Sequence, residues 1–202
     1  MPAAAPGTLR TRWIAAALAA LGLAAGCGET EGISRGGNVI GDTLTVYSVV
    51  PQPGDGVARD LVDGERLALR EGGARAGPFK VNFASLDETR GEREAAELPG
   101  AVASTVRQAI TDPQIIAAIA DLGDDTARIS VPLFNSAGIL HVSPGVTYPG
   151  FLREVGPGEP ERWYPAGERT FFPLVPDAAA EARALAGALE GRVLVEQEES
   201  PG

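Results

Sequence analysis

Six consecutive apolar residues, Ile115-Ile116-Ala117-Ala118-Ile119-Ala120, stand between Asp112-Pro113-Gln114 and the polar turn Asp121-Leu122-Gly123-Asp124-Asp125. A short apolar run without alternation, bounded by turn residues, is the pattern of a strand buried on both faces, as in a parallel sheet that helices cover on each side. The segments around it support that reading. Leu44–Val50 is β-branched and apolar and ends at the turn-rich Pro51–Gly56, so it predicts a first strand. Val57–Glu71 then places Ala58, Leu61, Val62, Ala68 and Leu69 on one helical face, with Asp55 as a cap and Gly72-Gly73 as a stop.

The unit repeats along the chain. Phe79–Leu86 predicts a second strand and Ala101–Thr111 a helix presenting Val102, Val106, Ala109 and Ile110. After the apolar run a helix is expected from Thr126, with Pro132 kinking it or ending it early. Ile139–Ser143 predicts a fourth strand, and Pro144–Arg169 is a long Gly- and Pro-rich connection of the kind compact domains reserve for function or edge wrapping. Thr170–Leu174 is a short fifth strand, Asp177 caps an alanine-rich helix to about Leu189, and Val193-Leu194-Val195 begins a sixth strand. Strands alternating with helices call for an α/β fold, doubly wound, with a mainly parallel sheet and helices on both faces. In such sheets ligands gather at the carboxyl ends of strands, which directs attention to the loops after Val50, Leu86, Ala120 and Ser143.

The amino terminus carries a different signal. Arg10 and Arg12 precede an apolar run from Trp13 to Ala25, too short for an ordinary membrane span, and small residues lead to Cys27, the sole cysteine. This is the order of an export signal. Leu23-Ala24-Ala25-Gly26-Cys27 resembles the lipobox of bacterial lipoproteins, with Ala24 where Leu is more usual. That resemblance implies a diacylglycerol on the Cys27 thiol, cleavage before it, and an exported chain anchored by lipid on the extracytoplasmic face of the cell membrane; the plain alternative is a secretory signal with an incidental cysteine. The expected organisation is a signal peptide over 1–26, a flexible tether over 27–42, an α/β lobe over 43–195 and a disordered acidic tail over 196–202. The chain holds 17 basic and 27 acidic residues, a formal net charge of −10. The leader contributes two arginines and no acid, so the remainder is more acidic still, which argues against nucleic-acid partners and against electrostatic attachment to anionic lipid.

Taken together, Leu44–Val50, the helix with Gly64, Leu67-Ala68-Leu69 and Gly72-Gly73, the strand Ala137-Gly138-Ile139 through Ser143-Pro144 with Thr147, and Arg169–Asp177 resemble the first lobe of type I periplasmic binding proteins. The likeness is nearest to the branched-chain amino-acid-binding proteins of ABC transporters and covers about Leu44 to Val195. It implies an extracytoplasmic solute-binding component of an importer, with a small-molecule solute of the amino-acid kind and an ABC permease as partners, and no cofactor or metal. It further implies ligand contacts at Asp124, at the Gly145 carbonyl, and at the backbone and hydroxyl of Thr147. The family commonly has a serine at the position of Asp124; an ionised aspartate donates no hydrogen bond and repels an anion. Helix capping is the plainer role for Asp124 and Asp125. The family's second lobe is expected after the sixth strand, so these residues correspond to about half of such a protein. Three outcomes stay open: a receptor lobe, a truncated product unable to bind ligand, or a sensory or protein-interaction lobe.

Enzymatic readings find little support. There is no Gly-x-Ser-x-Gly elbow, no phosphate-binding glycine loop and no dinucleotide fingerprint. The sole histidine, His141, falls inside a strand, where packing is the expected role. Asp121, Asp124 and Asp125 lack the partner residues of a cation loop. Trp163 and Tyr164 either anchor the long connection on its own sheet or form an exposed contact patch.

Overall fold

The computed structural model describes residues 41–52, 56–91 and 97–189. Six strands form one sheet: β1 (Thr43–Val50), β2 (Arg75–Ala76), β3 (Phe79–Asp87), β4 (Ile115–Ala120), β5 (Leu140–Ser143) and β6 (Phe171–Pro173), in the spatial order β2-β3-β1-β4-β5-β6. All neighbours pair in parallel except the short antiparallel β2–β3 hairpin, too brief to be legible in sequence. One row across the sheet runs Ala118, His141, Phe171. The helices are α1 (Gly56–Glu71), α2 (Leu98–Ile110), α3 (Asp124–Ser136) and α4 (Ala178–Ala188), with 3-10 turns at Pro149–Phe151 and Glu161–Trp163.

Alternation along β1 divides the core. Val50 points to the face where Ala58, Leu61 and Val62 of α1 pack with Phe83 and Leu122. Val49 points to the other face, where Val102, Val106 and Ala109 of α2 and Phe134 of α3 close over Ala118 and Ala120. β4 turns Ile115, Ala118 and Ala120 into this core and leaves Ile116, Ala117 and Ile119 half-buried, so the two-sided burial that its uniform apolarity predicts is complete on one face only. On α1 the buried stripe takes Ala58 and Val62 and leaves Ala68 exposed, so Ala68 is not part of the packing face expected of it.

Pro132 does not end its helix. α3 begins two residues before the expected Thr126 and runs through Pro132 to Ser136, whose hydroxyl donates to the Pro132 carbonyl. Proline removes one N–H from the ladder. The helix persists because Ala127, Ser130, Val131, Phe134 and Asn135 form a continuous buried face that tertiary packing holds in place. The expected cap on α4 is present: Asp177 accepts from the Ala180 N–H at 2.8 Å. The leader, Cys27 and the tether up to residue 40, the Asp55 cap, the Val193–Val195 strand and the acidic tail lie outside the described residues.

The connection from Pro144 to Arg169 folds onto α3 rather than leaving it. Val146, Phe151, Trp163 and Tyr164 are buried with Ala127 and Val131 of α3 and Phe171 of β6, which makes Trp163 and Tyr164 anchors and not an exposed patch. Asn135, fully buried, ties down the return leg: its Nδ2 donates to the Glu168 carbonyl (2.6 Å) and Thr170 Oγ1 (3.0 Å), and its Oδ1 accepts from the Ala166 N–H (2.9 Å). Replacing it removes the partner that ties the Ala166 N–H, the Glu168 carbonyl and the Thr170 hydroxyl to α3. Asn135→Ala is expected to lower the unfolding free energy by about 2–4 kcal/mol, read from urea denaturation; a change within experimental error would show that the loop holds itself.

Candidate functional site

The strand order places β1 centrally, with β3 on one side and β4 on the other, so successive crossovers leave in opposite directions. The crevice at such a reversal, outside the carboxyl ends of the strands, is where open α/β sheets take ligands. Two segments meet there: the β4–α3 turn, Asp121–Gly123, and the loop after β5, Pro144–Tyr148.

Side-chain oxygens join the two segments. Ser143, buried, donates its hydroxyl to the Asp121 carbonyl (2.9 Å) and accepts from the N–H groups of Gly145 (3.3 Å) and Val146 (3.1 Å). Asp124 Oδ1 accepts from the N–H groups of Thr147 (2.8 Å) and Tyr148 (3.0 Å), and Thr147 Oγ1 lies 3.5 Å from Asp124 Oδ2. The loop approaches so closely that a Cβ on Gly145 would stand 2.7 Å from the Leu122 carbonyl oxygen, which only glycine avoids. Asp121 adopts a left-handed conformation (φ +63°), a state aspartate tolerates better than most residues. Its carboxylate accepts from the Ser130 hydroxyl and lies 2.9 Å from His141 Nε2, all three groups being buried. His141 also packs edge-on against Phe134 and Phe171, the packed role expected of it.

The structure thus brings Asp124, Gly145 and Thr147 together. It corrects the capping role for Asp124. The residue preceding α3 is Gly123, which has no side chain to cap with, and the Asp124 carboxylate reaches across to another loop instead of back to its own helix. Ser143 was not singled out as a site residue, although a serine just before Pro-Gly in a loop is a recognisable signal for side-chain-to-backbone bonding. No cluster of potential metal ligands occurs among the described residues.

Comparison with known proteins bears on the fold. Neither a protein-family model nor a curated protein matches the sequence. Solved structures do. An ABC transporter substrate-binding protein from Desulfitobacterium hafniense in complex with Leu superposes with a TM-score of 0.54 at 15% identity, over 72% of this chain and 38% of its own. A leucine-binding protein from Thermotoga maritima gives 0.53 at 17% identity over 71% and 35%, and a solute-binding protein of an ABC transporter from Rhodopseudomonas palustris, in complex with 3,4-dihydroxy benzoic acid, gives 0.51 at 15% over 68% and 33%. The chain has the fold of one lobe of a periplasmic binding protein. It spans 33–38% of the length of these three structures.

Two adjacent acids at the carboxyl end of β3 show how unevenly this periplasmic-binding-protein-like lobe treats charge. Burial pushes the Asp87 carboxyl up, but the N–H groups of Gln52, Thr89 and Gly91 and the Thr89 hydroxyl more than reverse this, leaving it below the ordinary range. Glu88 is 1% exposed, and neither of its carboxyl oxygens has a hydrogen-bond partner among the described residues. Burial, followed by the carboxylate of Asp121, pushes it up to about 8, with the Thr126 hydroxyl only easing the shift. Because its folded value lies above its unfolded one, the native state holds a proton that the unfolded chain releases. Stability should therefore fall as pH rises from about 4.5 to about 8. Glu88→Gln is expected to flatten that slope in urea midpoints taken across the range, and an unchanged slope would place the proton elsewhere.

Proposed function

We propose that this chain is an extracytoplasmic solute-binding lobe of an ABC-type importer, not an enzyme, working with an ABC permease and held to the membrane by a lipid on Cys27. The observation that supports it most directly is the meeting of the β4–α3 turn and the β5 loop, through Asp124, Ser143 and Thr147, at the ligand crevice of a fold whose solved likenesses are substrate-binding proteins. The sole histidine is sealed in the core, which favours a binder over a catalyst. No helix among the described residues is long and apolar enough to cross a membrane, so a membrane association would come from the anchor.

One lobe covers one side of a small solute, whereas high affinity for small molecules normally requires most of the ligand surface to be buried. Calorimetric titration of residues 1–202 with leucine, isoleucine and valine is accordingly expected to give no tight binding; micromolar affinity would overturn the one-sided argument. The receptor reading itself is tested by a panel of small polar solutes. At least one should perturb the backbone amides of 121–124 and 143–148, and silence at those amides across the panel would refute it. For the anchor, the chain expressed in a bacterial host should incorporate labelled fatty acid and partition with membranes, and Cys27→Ser should abolish the label. Labelling that survives the substitution would remove Cys27 from the account.

A protein-interaction role is the second reading, favoured by one specific observation. Leu174 and Leu185 are 69% and 62% exposed, and α4 buries none of its residues. If no solute reaches the loop amides while Leu185→Asp alters sedimentation of the chain, this reading replaces the first.

A further inference from the structure

Four consecutive backbone N–H groups, from Gly145 to Tyr148, all donate to side-chain oxygens of the chain itself: the first two to Ser143 Oγ, the last two to Asp124 Oδ1. Two neighbouring N–H groups converging on one oxygen, beside the positive end of a 13-residue helix, form the donor set that backbone nests and helix starts offer to an anion. Here that donor set already holds a carboxylate. The arrangement is specific in two further respects. The Asp124 side chain, in the first turn of α3, reaches across to the N–H groups of Thr147 and Tyr148, 23 and 24 residues along the chain. In addition, Gly145 lets the loop descend onto Leu122, and Ser143 locks it there through the Asp121 carbonyl.

We propose that Asp124 is the resident occupant of an anion subsite formed by the Thr147 and Tyr148 amides, and so acts as a specificity-determining residue that closes this face to free carboxylates. A solute carboxylate arriving here meets donors already engaged and a like charge in front of them. The solute taken at this face then carries no free carboxylate and is neutral or cationic, with the second Asp124 oxygen as an acceptor for an N–H or O–H donor. The occupancy stands on the loop geometry alone; its consequence for the solute rests on the receptor reading above.

The test is chemical rescue on the full chain. Asp124→Gly removes the occupant and leaves its donors facing a space that formate fits. The variant is expected to unfold at a lower temperature than the parent, and formate should restore about half of that loss or more in a concentration-dependent manner, as binding to the native state requires. Chloride at the same ionic strength should not. Formate should leave the parent unchanged. A second variant, Asp124→Asn, keeps an acceptor oxygen without the charge; its fold should persist, and the amide protons of Thr147 and Tyr148 should shift together upfield. Equal effects of formate and chloride, absence of any rescue, or Asp124→Asn shifts that spare those two amides would each overturn the occupancy, and the amide measurement decides if Asp124→Gly does not fold. Rescue by formate in a chain whose parent binds no solute of any class would retain the occupancy and remove the receptor reading. Binding of a solute at the same loop without rescue would do the opposite.

Discussion

The structure depends on satisfying the backbone of a long connection that is packed against a helix without being part of a regular element. A buried N–H or carbonyl left unpaired costs about 1–3 kcal/mol, and a segment running from Pro144 to Arg169 has many such groups. The lobe meets that demand with single polar side chains placed on the regular elements. Ser143 at the end of β5 and Asp124 at the start of α3 take the outgoing leg, and Asn135 near the end of α3 takes the return. Between them, buried Glu159 accepts from the Tyr148 hydroxyl (2.8 Å) and the Gly156 N–H (3.1 Å). Once those polar ties are made, Phe151, Trp163 and Tyr164 are free to bury their rings on α3 and β6.

The same solution shapes what the site can do. N–H groups at the end of a parallel strand beside a helix start are the usual means by which an α/β sheet holds an anion. In this lobe they serve the chain's own fold. The donors that hold the loop in place are engaged by the chain's own side chains, and Asp124, which takes two of them, also contributes to the chemistry presented at this end of the sheet. Arg128 reinforces the arrangement from below, its guanidinium lying 4.2 Å from the centre of the Tyr148 ring, where the ring face attracts a cation.

Charge is handled by position rather than by number. The chain has a formal net charge of −10, and the described acids drawn inward differ according to their donors. Asp87 and Asp124 are met by backbone N–H groups and Asp121 by the Ser130 hydroxyl, with His141 Nε2 lying 2.9 Å from its carboxylate. Glu88 finds no hydrogen-bond partner among the described residues and is kept protonated chiefly by burial, so the carboxyl end of β3 carries one firmly charged and one proton-retaining acid side by side. That contrast arises from hydrogen-bond donors, which residue type alone does not specify.

Much of the architecture was legible in the sequence because hydrophobic periodicity is a local property. The apolar strand Ile115–Ala120, the strand Leu44–Val50, the packing face expected over Ala101–Thr111 and the Asp177 cap follow from apolar spacing and from the polar residue at a helix start. The sequence also brought Asp124, Gly145 and Thr147 to notice. It could not tell which way the Asp124 carboxylate turns, that α3 would continue through Pro132, or that Glu88 would find no hydrogen-bond partner among the described residues, whereas the burial of Trp163 and Tyr164 is one of the two roles it allowed. Each of those outcomes is decided by contacts between segments far apart in the chain, where packing and the pairing of buried polar groups override local preference. The sequence alone determined a layered α/β lobe; the tertiary structure decided which side chains engage the loop N–H groups at the carboxyl end of its sheet, because a hydrogen bond across two loops exists only after both loops are in place.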